Sequence, residues 1–437
     1  MTALQWTRRA LFGALLVVCL AATPLFAGGS QEQADDDANG QAQTEESVTI
    51  SYANFSAAGG NEDKLAEMVE TFEAQNPGVR VDVETIGFND YFTQLQTRVA
   101  AGTAPDAFEL NFENFVSYAE KGLLRDISPL EEATGFNPSP LNSRAYEAFA
   151  NRGTQYGLPA SFSTVLLFYN ADLFDQAGLS YPDESWTWDD MDSAAADIAA
   201  LGDDHFGIFQ PIHFFEFFKT VQQNGGSLLN EDKSAFTLTE AANVETLEHM
   251  VARVQESNVM PTSAQMSGMG DWDLFKSGRL GMLVTGIWAF PDFAENIDFN
   301  WDVAVEPGNT QKATHFFANG LVISADAGDE KAEAAFKWIQ FMSASREAAE
   351  IRVNAGWELP ASEYEDVLET YTAETPPENR QAVFESLNYL ITPPVIEDFS
   401  RMSDIVSQEL EAARNGSKSP EQALSDAQSL LESQIDL

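Results

Sequence analysis

The chain has 437 residues, of which 44% are hydrophobic, so it is long enough to bury a large core and to form two domains. Its formal charge of −46 argues against nucleic acid and anionic membranes as partners. The acidity fits either an acidic binding face or a solvated surface adapted to salt. Because the carboxylates are spread along the whole chain, the solvated surface is favoured.

The first 27 residues have the pattern of a cleaved signal peptide. Arg8 and Arg9 precede an apolar run over residues 10–22, and Ala27 offers a small residue for cleavage. A membrane-spanning helix is the alternative, but the run is short and Pro24 interrupts it. The sequence therefore predicts export to a periplasm.

Cys19 is the only cysteine of the chain, and it lies inside the predicted signal. A lipid anchor would need a small residue before it, whereas Val18 stands there. Cleavage after Ala27 is therefore favoured over lipid anchoring. The exported chain then has no cysteine for disulfides or thiol chemistry.

Residues 28–47 contain no aliphatic or aromatic side chain larger than alanine, which predicts a disordered acidic tether. Strands are then predicted in VTISYANF, VRVDVETI and APDAFEL, with helices between them in NEDKLAEMVETFEAQ and YFTQLQTRVAA. This order is typical of a parallel sheet covered by helices. Ligands of such sheets bind beyond the carboxyl ends of the strands, here Asn54 and Phe55, residues 86–89, and residues 111–114.

The second half of the chain continues to alternate. Two apolar segments are separated by PASFST, and Thr187 with Asp190 predicts a capped helix over TWDDMDSAAADIAAL. Further elements are a strand in HFGIFQ, a helix in PIHFFEFFKTVQQNGG, a strand over residues 279–284 that breaks at Gly286, a helix in EKAEAAFKWIQFMSAS, and a final helical region over residues 401–435.

Motifs of enzymes and metal sites are absent from the sequence. There is no phosphate loop, dinucleotide fingerprint, His-Glu-x-x-His or nucleophile elbow. The four histidines lie apart without ligand spacing, so neither a metal nor a cofactor is expected. A glycosidase pair of carboxylates stays open, because 69 acidic residues always supply some pair at a suitable distance.

Aromatic residues make up 11% of the chain and recur beside glycines and polar residues at predicted strand ends. Sugar rings have apolar faces framed by hydroxyls, so their sites combine flat aromatics with amides, carboxylates or histidine. For any single aromatic residue, packing in the core remains the alternative.

An ordered set of segments, which runs from about Val48 to at least Gly356, resembles the sugar-binding extracellular solute-binding proteins of ABC importers, the maltose-binding-like family. The segments include FEAQNPGVRVDVETI, AAGTAPDAFELN, EKGLLRDISPL, YGLPASFSTVLLFYNADLFDQAGL, SWTWDDM, FKSGRLGMLVTGIWAF and NGLVISADAGDEKAEAAFKWIQFMSASREAAEI. The resemblance implies an α/β, two-lobed periplasmic-binding-protein fold of type II, with a hinge and a ligand cleft between sheet-and-helix lobes. It implies chain crossings near residues 160–164 and 303–307. Lobe one would comprise 48–161 plus about 305–342, and lobe two 162–304 plus about 343–437.

The resemblance also implies a set of ligand-binding residues, for which structural roles in capping, turns or the core are the alternative. Ser163 stands at a crossing position where several relatives carry a ligand-binding acid, and Trp288 matches a stacking tryptophan of the family. The full set is Asn54, Phe55, Asn111, Glu113, Asn114, Ser163, His213, Phe215, Trp288, Asn319, Gly320, Trp357 and Glu358.

The resemblance thus implies a monomeric binding protein that captures a mono- or oligosaccharide by lobe closure and delivers it to ABC permease subunits, with no covalent chemistry. Two alternatives stay open: a secreted carbohydrate-active enzyme that uses paired carboxylates, and a binding protein whose closed form docks on a chemoreceptor. The identity of the ligand also stays open, since a polyol, a sugar phosphate or a peptide would suit the same fold.

Overall fold

The computed structural model describes residues 47–437. The predicted signal peptide and nearly all of the predicted tether lie outside the described residues. Within this range no helix has the length and apolarity needed to cross a membrane.

Residues 47–437 contain fourteen strands, and the first three occur in the order that the sequence predicts. They are β1 Val48–Asn54, β2 Val79–Thr85, β3 Ala107–Asn111, β4 Ala150–Asn151, β5 Thr154–Gln155, β6 Gly157–Ser163, β7 Val165–Asn170, β8 Phe206–Phe209, β9 Leu280–Gly286, β10 Trp301–Ala304, β11 Thr314–His315, β12 Phe317–Ile323, β13 Leu359–Pro360 and β14 Leu390–Ile391.

Helices fill most of the intervals, and two short 3₁₀ helices span Ile287–Ala289 and Leu387–Tyr389. The α-helices are α1 Glu62–Gln75, α2 Phe88–Ala100, α3 Phe112–Glu120, α4 Ser128–Thr134, α5 Ser143–Glu147, α6 Ala171–Ala177, α7 Trp188–Ala199, α8 Phe214–Gln223, α9 Ala241–Gln255, α10 Ser263–Met266, α11 Asp271–Lys276, α12 Phe290–Asn296, α13 Asp329–Ala344, α14 Arg346–Asn354, α15 Glu365–Ala373, α16 Gln381–Ser386, α17 Phe399–Arg414 and α18 Pro420–Gln434. The predicted cap of α7 is confirmed, since Thr187 and Asp190 form a capping box.

Six strands form the first sheet, in the order β13-β6-β12-β3-β1-β2. β1 lies between β2 and β3 and runs parallel to both, as the sequence predicts. β12 is antiparallel to β3 and to β6. Helix α13 packs over this sheet, where the fully buried Trp338 lies edge-on to Tyr52 at 5.5 Å.

Four strands form the second sheet, in the order β10-β7-β9-β8. β8 and β9 are parallel, whereas β7 is antiparallel to both of its neighbours. Helix α7 covers one face, where Trp188 and Ile198 pack with Leu167, Ile208 and Met282 in one buried cluster.

The chain passes from the first sheet to the second and back again. Thr164 alone separates β6 of the first sheet from β7 of the second. The return runs from β10 through residues 305–316 to β12. The boundary expected near residue 342 does not coincide with a change of sheet, because β13 pairs with β6 and α14 packs against α1 and α13.

The segment PASFST, residues 159–164, forms most of β6, and the break between β6 and β7 falls at its last residue, Thr164. β6 runs through it to Ser163, and each of its residues is buried. Because β12 and β13 pair with the two sides of β6, proline and serines are accommodated in a fully covered strand. Burial on both faces removes the alternation by which a strand is usually recognised.

Candidate functional site

The candidate site lies where the carboxyl edge of the first sheet meets elements of the second. Because β12 is antiparallel to β3 and pairs Asn319 with Asn111, its first residue, Phe317, lies at that edge. Trp288 follows β9 of the second sheet, and its ring is edge-on to Phe317 at 5.6 Å. Ser400 of α17 donates a hydrogen bond to Asn114 Oδ1 of α3 at 3.1 Å. Residues from both sides therefore converge here.

Glu113, in the first turn of α3, is the unusual group of the site. Its side chain is fully buried, and neither carboxylate oxygen has a hydrogen-bond partner among the described residues. Burial raises its pKa to about 7. A buried carboxylate without partners costs free energy, and the raised pKa favours the protonated form, which carries no charge.

Two of the predicted site residues use their side chains to hold the local backbone. Asn54 donates from Nδ2 to Thr85 Oγ1 at 3.0 Å and accepts from the Ala57 N–H at 3.3 Å. Asn111 caps α3, since its Oδ1 accepts from both the N–H and Nδ2 of Asn114. Both polar atoms of the Asn54 amide are thus used within the fold, whereas no hydrogen bond of Asn111 Nδ2 is found among the described residues.

Four rings form a continuous surface, here called the aromatic wall: His213, Phe215, Phe317 and Trp288. Their centroids are spaced by 6.2 Å, 5.7 Å and 5.6 Å in that order, all edge-on. Trp288 is 37% exposed, so part of its indole is free to contact a ligand. The wall offers the flat apolar faces that sugar rings require.

His213 has a capping role and also contributes to the wall. Its Nδ1 accepts from the Glu216 N–H at 3.4 Å, as the capping alternative predicts, so the neutral ring carries its proton on Nε2. Desolvation by the surrounding protein lowers the pKa of His213, although its side chain is exposed. This combination is typical of a residue that lines a concave surface, and it leaves Nε2–H as a hydrogen-bond donor.

Gly286, the last residue of β9, makes room for the Trp288 indole. A Cβ atom at this position would lie 2.0 Å from the Trp288 ring. The backbone φ of −92° is one that any residue adopts. The requirement for glycine therefore comes from the ring that lies against it.

A buried ionic cluster connects α8 to the second crossing. Lys219 Nζ lies 2.7 Å from Glu216 and 2.5 Å from Glu306, and all three side chains are buried. Burial raises the pKa of Glu306 to about 7, whereas for Glu216 burial is outweighed by the attraction of Lys219 and the pKa is lowered. His315 Nε2 also bonds the Phe215 carbonyl at 2.5 Å. These contacts hold the wall against the crossing segment.

Trp357 belongs to the core, contrary to the prediction that it lines the cleft. It is 2% exposed, and its Nε1 donates to the Ser56 carbonyl at 3.1 Å. The Arg352 guanidinium lies 4.2 Å above its ring. An indole covered in this way has no face left for a ligand.

Glu358, Asn319 and Gly320 also have structural surroundings. Glu358 accepts hydrogen bonds from Asn319 Nδ2 at 3.1 Å and from the Ser161 hydroxyl, all within the first sheet. A Cβ atom on Gly320 would lie 2.2 Å from the Phe149 ring, so this glycine permits close packing. Polar groups that satisfy one another inside the sheet are not available to a ligand.

Ser163 ends β6 beside the aromatic wall, where its Cα pairs with that of Phe317. Ser163 is 1% exposed. Its role in ligand binding stays a prediction.

Three residues of the region are missing from the set that the resemblance supplies. Phe317 and Ser400 have no local sequence signal, because their positions depend on the pairing of distant strands and helices. Phe88 lies inside the predicted strand-end segment 86–89 and is 50% exposed, whereas the predicted Phe55 is buried beneath it at 5.4 Å. Phe88 is thus within a segment that the strand-end rule selects, although the resemblance does not name it.

A surface depression of about 380 Å³ lies elsewhere, between α1 and α14. Its lining is charged and polar, and it includes the ion pair between Lys64 and Glu67. It has none of the aromatic residues of the wall. Within the described range, no group of three or more His, Cys, Asp or Glu side chains could hold a metal ion.

Known proteins with similar sequences and structures are solute-binding proteins. An ABC substrate-binding protein of Listeria monocytogenes, solved in complex with cycloalternan, is 49% identical, covers 89% of this chain and 98% of its own, and has a TM-score of 0.85. An arabinooligosaccharide-binding protein of Bacillus subtilis is 23% identical over 94% of this chain and 96% of its own. The sugar-binding protein MalE of Xanthomonas citri, at 23% identity and a TM-score of 0.72 over 88% and 97% of the two chains, has the same fold.

The family assignment rests on most of the chain. Residues 58–349 match the family described as bacterial extracellular solute-binding protein. This range includes both crossings, the whole aromatic wall and Glu113. The structural relatives confirm the predicted two-lobed fold of periplasmic binding proteins. The chain belongs to the bacterial extracellular solute-binding protein family.

Proposed function

We propose that this protein binds an oligosaccharide between its two sheets and delivers it to the permease of an ABC transporter. The observation that carries the proposal is a partly exposed tryptophan of the second sheet that packs on a wall of aromatic rings at the carboxyl edge of the first sheet, the edge from which the helix of the buried Glu113 begins. Aromatic faces suit the C–H faces of sugars, and a carboxylate accepts hydrogen bonds from their hydroxyls. The relative with 49% identity was solved with cycloalternan, which supports an oligosaccharide as the ligand.

The alternative of a carbohydrate-active enzyme is not supported. The family and the similar proteins are substrate-binding proteins and not enzymes. In the proposal, Glu113 accordingly accepts hydrogen bonds from the ligand and takes no part in catalysis. Incubation of the protein with a bound oligosaccharide should leave that ligand intact, and shortened products would contradict this part of the proposal.

The proposal includes two lobes that close around the ligand. The first sheet with α1, α13 and α14 would form one lobe, and the second sheet with α7 and α8 the other. The contact between Asn114 and Ser400 joins α3, which packs on the first sheet, to α17, which packs against α8 and α9. A ligand that contacts both sides favours the closed arrangement by its difference in affinity for the two states.

The proposal also includes export, which rests on the signal-peptide pattern of residues 1–27. The cleaved chain would be released into a periplasm as a monomer. The family consists of extracellular solute-binding proteins, which supports export. The intact mass of the protein recovered from the producing cell tests it. A chain that begins at residue 28 agrees with cleavage after Ala27, whereas a lipid-modified Cys19 would replace that assignment with an anchored form.

Binding is tested by thermal-shift measurements with cycloalternan, arabino-oligosaccharides and maltodextrins. A ligand at about a hundred times its Kd should stabilise the fold by roughly 2.7 kcal/mol. Trp288→Ala should weaken binding about tenfold, while Trp288→Phe retains most of the affinity. Because Trp288 is 37% exposed, its truncation should leave the unliganded Tm nearly unchanged. A large fall in Tm would place Trp288 in the core and contradict its proposed role.

A further inference from the structure

Phe88 has the most exposed large apolar side chain of the described residues, at 50%. It begins α2, directly after Gly87, at the carboxyl end of β2. A single exposed phenylalanine on a protein surface needs no explanation. Phe88 differs from such a residue in the rings that support it and in its position at the edge of the sheet.

The Phe88 ring is held from below by other rings. It lies edge-on to Phe55 at 5.4 Å and to Phe92 at 5.4 Å. Phe55 is itself buried, and its backbone N–H donates to the carboxylate of Glu109 at 3.0 Å. Phe88 therefore has one side fixed on a buried base and the other side exposed to solvent.

Phe88 lies on the same edge of the first sheet as the candidate site. β1, β2 and β3 are parallel, so their carboxyl ends share one edge, and Phe317 lies there because β12 is antiparallel to β3. In the order β12-β3-β1-β2 the two ends are three strand spacings apart, which is roughly 14 Å. Trp288 contacts Phe317 at one end, and Phe88 lies at the other.

Helix α3 begins between these two aromatic positions, because it follows β3, the strand next to β12 in this order. The edge thus carries an aromatic surface at each end, with the helix of the buried Glu113 between them. Linked sugar rings each offer an apolar face to such surfaces.

We propose that Phe88 is a second stacking subsite, at the outer end of the cleft, and that it selects ligands of two or more linked sugar rings. Stacked rings lie about 4.5–7 Å apart, so one sugar ring cannot contact both aromatic positions. The inference rests on the proposed function and adds a lower limit on the size of the ligand. It assigns Phe88 to specificity and not to the fold.

The test compares affinities for short and long ligands by isothermal titration calorimetry. The probes are glucose, maltose, maltotriose and maltotetraose, an arabinose-to-arabinotetraose series, and cycloalternan. Phe88→Ala should weaken the longest ligand that binds by roughly three- to tenfold and change monosaccharide affinity by less than about twofold. Phe88→Tyr should bind as the parent does. Phe88→Leu keeps the apolar contact with Phe55 and Phe92 but has no flat face, so it should resemble the alanine variant.

Tyr181→Ala is the matched control, because Tyr181 is 44% exposed and packs against Tyr169 of the second sheet. It should leave all affinities unchanged. Equal affinities of Phe88→Ala and the parent for every ligand would overturn the inference, as would recovery of affinity by Phe88→Leu. A parent protein that binds only monosaccharides would overturn it and leave sugar binding intact. A parent protein that binds no probe would overturn the proposed function itself.

Discussion

Replacement of Glu113 by glutamine should stabilise the unliganded protein at neutral and alkaline pH while it weakens ligand binding. Glu113 is fully buried, and its carboxylate oxygens have no partner among the described residues. Glutamine has nearly the same shape but carries no charge to desolvate. The substitution therefore removes a cost of the fold and, with it, the acceptor proposed for the ligand.

The size of the effect follows from the pKa of Glu113, which burial raises from 4.5 to about 7. Because the pKa is raised in the fold, the contribution of this group to stability is complete below about pH 4.5 and is lost as the pH rises through 7. At about pH 8 the loss corresponds to roughly 3 kcal/mol. Most of it, roughly 2–3 kcal/mol, falls between about pH 5 and pH 8.

Urea denaturation of the parent and of Glu113→Gln, near pH 5 and near pH 8, measures this difference. The variant should be more stable by a few tenths to about 1 kcal/mol near pH 5, and by roughly 3 kcal/mol near pH 8. Glu70→Gln, at an exposed position of α1, is the control and should show no such pH dependence. A stability gain that is absent, or that is equal at the two pH values, would refute the argument from desolvation. Ligand affinity should fall by about tenfold or more, since hydrogen bonds to charged groups contribute about 1.5–3 kcal/mol.

Two further substitutions test the support of the aromatic wall. Lys219→Met leaves two buried carboxylates without their cation and should lower the free energy of unfolding by about 3–5 kcal/mol in the same assay; a loss below about 1 kcal/mol would contradict a buried pair. Gly286→Ala should displace the Trp288 ring and weaken ligand binding with little change in Tm. In a Trp288→Ala background it should have no further effect on affinity. Gly328→Ala, where a Cβ atom meets nothing within 4 Å, is the control, and additive losses of affinity would show that Gly286 acts independently of Trp288.

The alternation of strands and helices was sufficient to predict the parallel part of the first sheet. β2 buries one face, so Val79, Val81 and Val83 occupy every second position, and Gly78 and Gly87 flank the strand. β1 has apolar residues at every second position from Val48 to Tyr52. β6 lacks this pattern because both of its faces are covered, and its proline and serines resemble a turn in sequence. β13, two residues long, carries no periodicity at all. Its partner is determined by tertiary contacts that sequence patterns do not contain.

The predicted site residues fall into two groups. Some have polar atoms that already have hydrogen-bond partners in the fold, and the others do not. Trp357 and Glu358 belong to the predicted set because the resemblance implies ligand-binding roles for the segment NAGWELPAS. In the fold, Trp357 Nε1 bonds the Ser56 carbonyl and Glu358 bonds Asn319. Such pairs join residues far apart in the chain. Residue type alone therefore predicts that a side chain is able to bind a sugar. Only the structure shows whether its polar atoms already have hydrogen-bond partners.

Glu109 and Glu113 show how this distinction separates the needs of the fold from those of a ligand. Both carboxylates are buried, and burial raises the pKa of each to about 7. Glu109 Oε2 accepts from the N–H groups of Phe55 and Ser56, each at 3.0 Å, so its charge holds the turn after β1 in place. Glu113 is buried to the same degree, but no partner of its two carboxylate oxygens is found among the described residues, and only its own backbone opposes the rise in its pKa. The unliganded fold therefore favours the protonated form of Glu113, and we expect a bound molecule that donates hydrogen bonds to favour the carboxylate.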